Sequence, residues 1–149
     1  MKEHLEPLAI AANITQATHC RLDEVLITFG FLYYKYKTLS MAQNNEALDS
    51  ILKSLENRWE KADQGVFIAA VILNPLHMVL PFSRTHLAFT KAAIYSLLSS
   101  LWVRFFTEKP PLNLYTQLMG YLEKTGEYED LMKWAGILKA LAHTRVILN

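Results

Sequence analysis

The residues of this chain that could do chemistry are five histidines, one cysteine and two groups of carboxylates, and their spacing limits what they can do. The histidines are His4, His19, His77, His86 and His143, and the cysteine is Cys20. A zinc site draws its ligands from matched pairs a few residues apart, and none of these residues pairs that way. His19 and Cys20 are adjacent, so they point to different faces; the histidines read as surface or helix-end residues and Cys20 as a small buried apolar residue. Asp23-Glu24 and the cluster Glu127, Glu129 and Asp130 each stand where a helix should begin. There a carboxylate accepts hydrogen bonds from free backbone N–H groups and complements the helix dipole, which explains them without catalysis.

The run FLYYKYK, residues 31–37, interleaves Tyr33, Tyr34 and Tyr36 with Lys35 and Lys37. Aromatic and basic side chains in that order could stack on single-stranded bases. Tyr33 and Tyr36 also fall on a helical apolar stripe, so the plainer reading is a helix end whose lysines lay their stems along apolar surface. No glycine-rich phosphate loop, GxSxG elbow or dinucleotide fingerprint is present, and no cofactor is expected.

The elements that would position these residues are helices. The run VFIAAVIL, residues 66–73, carries no charge and is closed by Asn74-Pro75, because the residue before a proline is pushed out of helical geometry. Length and apolarity alone fit either a buried strand or a buried helix. Asp63 as a cap, with Ala69 and Ala70 in the middle, favours helix. Around it, Leu5 to Thr18 predicts a modest helix with Leu5, Leu8, Ala9, Ala12 and Ile14 on its stripe and Pro7 in its first turn. Leu22 to Tyr36 predicts a second helix with Leu22, Val25, Leu26, Phe29, Leu32, Tyr33 and Tyr36 on one face; Gly30 weakens it without ending it. TLSMAQNNE, residues 38–46, reads as a surface loop.

Leu48, Ile51, Leu52, Leu55 and Trp59 recur at threes and fours opposite Asp49, Lys53, Glu56, Asn57 and Glu60, the signature of an amphipathic helix. Leu76 to Phe82, between Pro75 and Pro81, reads as an apolar connector packed on the core. A helix from about His86 to Phe106 would carry Ile94, Leu97, Leu98, Leu101, Trp102 and Phe105 on one stripe and stop at Lys109-Pro110-Pro111. A shorter helix on Leu114, Leu118 and Tyr121 or Leu122 should end towards Gly126. The last, Tyr128 to Leu141, would bury Leu131, Trp134, Leu138 and Leu141. Trp59, Trp102 and Trp134 all read as core. The sum is an all-α fold, an irregular multi-helix bundle of about seven helices forming one domain over residues 1–149.

Composition bounds the function classes. Hydrophobic residues are 52% of the 149 and charged residues 19%, too apolar for a disordered chain. The formal net charge is +1, so no bulk positive field points to nucleic acid. No apolar run approaches the roughly 20 residues that span a bilayer, and the opening MKEHLEPLAIAANI places acidic residues where a signal peptide starts basic. One cysteine allows no internal disulfide and fits a reducing compartment. An intracellular protein without a membrane role is expected.

One longer pattern bears on function. SLENRWEKADQGVFIAAVILNP, residues 54–75, resembles a segment of fungal hAT-type DNA transposases. LDEVLITFGFLYYKYKTLS, residues 22–40, and PFSRTHLAFTKAAIYSLLSSLWVRFF, residues 81–106, resemble the same proteins in the same order. The resemblance implies the helical insertion that interrupts an RNase H-like catalytic core in that family, and with it a nuclear role in DNA transposition. It also implies what this stretch lacks. The family's two aspartates lie on strands before the insertion, its glutamate lies in a later S-x-x-ERxFS segment, and its Cys-x-x-His element is absent here as well.

No catalytic residue is therefore carried over, and Trp59 takes no role from the family's functional tryptophan. Two-metal phosphoryl transfer needs several carboxylates converging on ions about 4 Å apart, so a bundle without them is expected to be no enzyme. The partners implied are the transposase catalytic core or another copy of the chain, with DNA touched weakly through Arg58, Lys61, Arg84 or Lys91, the basic residues of the matching segments. The alternative is a stand-alone helical interaction module, a remnant that binds protein through an exposed apolar face.

Overall fold

The computed structural model describes residues 2–43, 45–83, 85–131 and 133–137, with side chains from Leu5 onward. Among them the chain forms six α-helices: α1 (Lys2–Thr15), α2 (Leu22–Gln43), α3 (Glu46–Lys61), α4 (Gln64–Leu73), α5 (Lys91–Phe106) and α6 (Leu114–Glu123). Residues 133–137 are helical again, single 3-10 turns lie at Leu87–Phe89 and Gly126–Tyr128, and the described residues contain no strand. The all-α expectation holds. The chain divides into two compact units, Met1–Val71 and Ile72–Asn149, with the division inside α4.

In the first unit α2 packs against α1 and against α3. Its core joins Ala11 of α1, Leu32 and Tyr36 of α2, and Leu48, Leu52 and Leu55 of α3, with Phe29, Tyr33, Leu39 and Ile51 packed around them. The α3 stripe is as the spacing predicts, and its start is fixed by Asn45, whose side chain accepts from the Ala47 N–H at 2.9 Å. Three expectations are corrected here. The segment after Tyr36 is not a loop: α2 continues to Gln43, because Leu39 reaches the core and Ser40 Oγ donates to Asp49 Oδ1 at 2.6 Å. Pro7 lies in the interior of α1 rather than its first turn, and it is buried. The buried face of α1 is Pro7 with Ala11, four residues apart, whereas Leu5, Leu8 and Ile14 of the predicted stripe are exposed. An element apolar on every side carries no marking of its inner face.

α4 is helical, and the Asp63 carbonyl accepts from the N–H groups of Val66 and Phe67 at its start. Asn74 ends it as predicted, its Oδ1 accepting from the Leu76 N–H at 2.9 Å. Of the connector, Met78 is buried and Leu80 is exposed.

In the second unit α5 packs on α6, and Ile72, Met78, Ile94, Leu118, Tyr121 and Ala135 are buried. α5 begins at Lys91 rather than near His86, because Thr90 takes the cap: its Oγ1 accepts from the Ala93 N–H at 3.3 Å. It ends at Phe106, ahead of the proline pair, with Thr107 in the left-handed conformation (φ 56°). Its stripe is not unbroken: Ile94 is buried, Leu97, Leu98, Leu101 and Trp102 are half-buried, and Phe105 is exposed. α6 ends on Lys124, a lysine in the left-handed conformation that glycine favours, two residues before Gly126. Trp134 is 61% exposed, so it is not core; Ala135 beside it is the buried residue. Leu138 and Leu141 lie outside the described residues.

Candidate functional site

Of the four basic residues expected to meet DNA, Arg58, Lys61 and Lys91 are among those described. Arg58 and Lys61 share the last turn of α3, three residues apart and exposed, where positive charge also complements the helix C-terminus. Lys91, in the second unit, is ion-paired with Glu123. Arg84 lies outside the described residues. FLYYKYK makes no stacking platform: Tyr36 is fully buried, the Tyr33 hydroxyl donates to Glu56 Oε1 at 3.0 Å, and Lys35 lies over the Phe31 ring, leaving Tyr34 exposed. The Glu56 bond and loss of hydration raise the Tyr33 phenol above its ordinary value.

The carboxylates at the start of α2 do structural work. Glu24 accepts from the Arg21 N–H at 3.1 Å, the reciprocal arm of a helix cap. Asp23, buried, is gripped by the Arg21 guanidinium through Nε at 3.0 Å and Nη2 at 2.8 Å. That forked bond raises the Arg21 pKa further. His86 Nδ1 accepts from the Ala88 N–H at 3.2 Å, again a cap. Among the described residues no three His, Cys, Asp or Glu side chains converge as metal ligands. The His4 side chain and His143 are not among those described.

Among the described residues the second unit carries a concavity of about 320 Å³ beside Gln117, Gly120 and Tyr128, and the others described lie on the first unit. One, of about 430 Å³, is an apolar hollow where α1, α2 and α3 meet, lined by Leu8, Ala11, Phe29 and Leu55 with Arg58 at its edge. A second is a cleft of about 410 Å³ between α2 and α3. Leu26, Phe29, Gly30 and Tyr33 line it from α2 by the i, i+3, i+4, i+7 rule, and Glu56 and Trp59 from α3. Trp59 is held by Phe29 (ring centroids 5.9 Å) on one side and Phe67 (6.4 Å) on the other. It separates this cleft from a smaller hollow of about 150 Å³ that adds Arg58, Ala62 and Phe67.

This cleft was not singled out by sequence reasoning, which placed Trp59 in the core and Glu56 on the outer face. The signal available was Gly30, next to Phe29 and three residues before Tyr33 within a helical stripe. A Cβ added there would meet nothing within 4 Å, so packing does not demand a glycine.

In the second unit the polar groups with chemical potential are tyrosines. The Tyr121 hydroxyl donates to the Ile72 carbonyl at 2.9 Å in a buried bond, and burial pushes its pKa up to about 12. Tyr128 packs edge-on against Tyr121 and donates to Gln117 Oε1 at 2.7 Å. Among the described residues, the buried Ser99 Oγ and Trp102 Nε1 find no hydrogen-bond partner. No described helix is long and apolar enough to cross a membrane.

Set against protein-family models, curated proteins and solved structures, the chain matches none.

Proposed function

We propose that this chain is a non-catalytic helical module of a hAT-like DNA transposase, acting in the nucleus by packing against the transposase's catalytic core. The observation that carries the packing role is apolar surface on helices. Leu5, Leu8, Ile10 and Ile14 of α1 are exposed in the first unit, as are Val103, Phe105 and Phe106 of α5 in the second. Apolar side chains grouped on one helix leave water when a protein partner covers them, each buried large side chain contributing roughly 1.5–3 kcal/mol. The transposase context is supported by the resemblance of residues 22–40, 54–75 and 81–106. DNA contact is secondary, through Arg58 and Lys61, and therefore weak and salt-sensitive.

A second reading, a stand-alone interaction module, is favoured by the apolar hollow between α1, α2 and α3. The intact mass of the native protein in its own cells separates the two. A mass well above 17.1 kDa is expected; a mass of 17.1 kDa would remove the transposase context and leave the second reading.

A further inference from the structure

We propose that the hollow where α1, α2 and α3 meet binds the alkyl chain of a medium-chain fatty acid, with its carboxylate at Arg58. The inference goes beyond the packing role and stands on this hollow alone. Each helix faces it with residues at i, i+3, i+4 and i+7: from Leu8 to Thr15 on α1, from Val25 to Leu32 on α2 and from Ile51 to Arg58 on α3. Leu8, Val25, Phe29, Leu32, Ile51 and Leu55 make walls that suit hydrocarbon rather than a polar solute. At about 430 Å³ the hollow lies at the small end of ligand sites, with room for one chain and not for a two-chain lipid.

Two hydroxyls mark it as a site rather than a gap in packing. Elsewhere on the helices of the first unit such groups bond to the carbonyl one turn back: Thr15 donates to Ala11 at 2.8 Å, Thr38 to Tyr34 at 2.9 Å and Ser50 to Glu46 at 2.9 Å. Thr28 and Ser54 line the hollow and have no hydrogen-bond partner among the described residues. Thr28 is 6% exposed, so its hydroxyl is shut away from bulk water with its bonding capacity unused. A ligand that brings an acceptor satisfies it.

Charge selects the head. α2 and α3 run antiparallel, as the Tyr33–Glu56 bond and the Phe29–Trp59 ring pair require, so Thr28 stands level with the last turn of α3. Arg58 lies in that turn. Among the described residues it is the one charged side chain lining the hollow, and it has no ion pair or hydrogen bond there. A guanidinium at the edge of an apolar hollow favours an anionic head and repels an ammonium. One cation balances one negative charge, which a carboxylate carries and a phosphate monoester, at close to two, exceeds. An extended peptide would bring an N–H and a C=O with every residue that entered, more than two free hydroxyls and Arg58 can meet.

The test uses the full chain and amide chemical shifts in residues 25–32 and 51–58. The probes, held below micelle formation, are hexanoate, octanoate, decanoate, decanol, decylammonium and decyl phosphate. Affinity should rise about fourfold per added methylene from hexanoate to decanoate, the step expected of hydrocarbon leaving water. Decanoate should bind several-fold more tightly than decanol and decylammonium, and no less tightly than decyl phosphate. Arg58→Gln should bring decanoate down to the affinity of decanol and leave decanol unchanged. Thr28→Val should weaken decanoate while the unfolding midpoint of the free protein holds or rises, because the hydroxyl removed has no bond to lose; a merely structural threonine would lower that midpoint. Affinity independent of chain length, decanol equal to decanoate in the unaltered chain, decyl phosphate binding more tightly than decanoate, or no shifts in these residues would each overturn the proposal.

Discussion

The two units solve the same problem with different means. In the first, three helices bury one contiguous set of aliphatic side chains and Tyr36, with polar residues segregated to the outer face of α3. In the second, the centre holds the Tyr121–Ile72 bond and the Tyr121–Tyr128 ring pair. Its α5 keeps two buried polar atoms that find no partner among the described residues, while exposing three large apolar side chains at its end. On α3 polar and apolar residues divide cleanly and the helix closes on the core; on α1 of the first unit and at the end of α5 in the second, apolar side chains stay exposed, and that surface is what a further protein would cover.

Substitutions can break this contrast, the largest effect coming from the first unit's core. Leu48→Ala removes a side chain that is 1% exposed and should cost roughly 2–5 kcal/mol, read from denaturant unfolding. The same loss at Trp134, 61% exposed, should stay within about 0.5 kcal/mol; a matching large cost there would erase the distinction between buried and exposed stripes.

In the second unit Tyr121→Phe strands the buried Ile72 carbonyl and should cost about 1–3 kcal/mol. It also has a pH signature. The folded phenol titrates near pH 12 against an ordinary 10, so folding is favoured by the bound proton. The stabilisation is complete below pH 10 and is lost as pH rises from 10 to 12. Part of the fall in melting temperature across that window should disappear in Tyr121→Phe, and an identical fall in both proteins would contradict the assignment. The smallest effect is a gain: Gly30→Ala should stabilise the first unit by about 0.5–1 kcal/mol, since a methyl there meets nothing and a helix interior favours alanine.

The same contrast governs what could be read from the sequence. The stripe of α3 was legible because charged and aliphatic residues alternate with the helical period, whereas its cap, Asn45, was read as part of a loop. The continuation of α2 through TLSMAQ was hidden: its residues favour turns locally, and only Leu39 in the core and the Ser40–Asp49 bond hold them in helix. For α1, apolar residues on all sides left the inward face to tertiary packing, and Pro7 with Ala11 won it. In α5 the periodic residues were named correctly, but periodicity does not say how far along a helix the neighbouring packing extends, and Phe105 lies beyond it. The cleft escaped because it is made by two helices: Tyr33 and Glu56 are 23 residues apart, and no local spacing joins them.

The central claim is that the exposed apolar side chains belong to an interface. Side-chain footprinting by hydroxyl radicals, on the native protein in its cells and on the purified 149-residue chain, tests it directly. Leu5, Leu8, Ile10 and Ile14 should be modified in the purified chain and protected in the native protein, with Tyr34, 69% exposed, modified in both as a reference. Equal modification of the four α1 residues in both samples would contradict the claim.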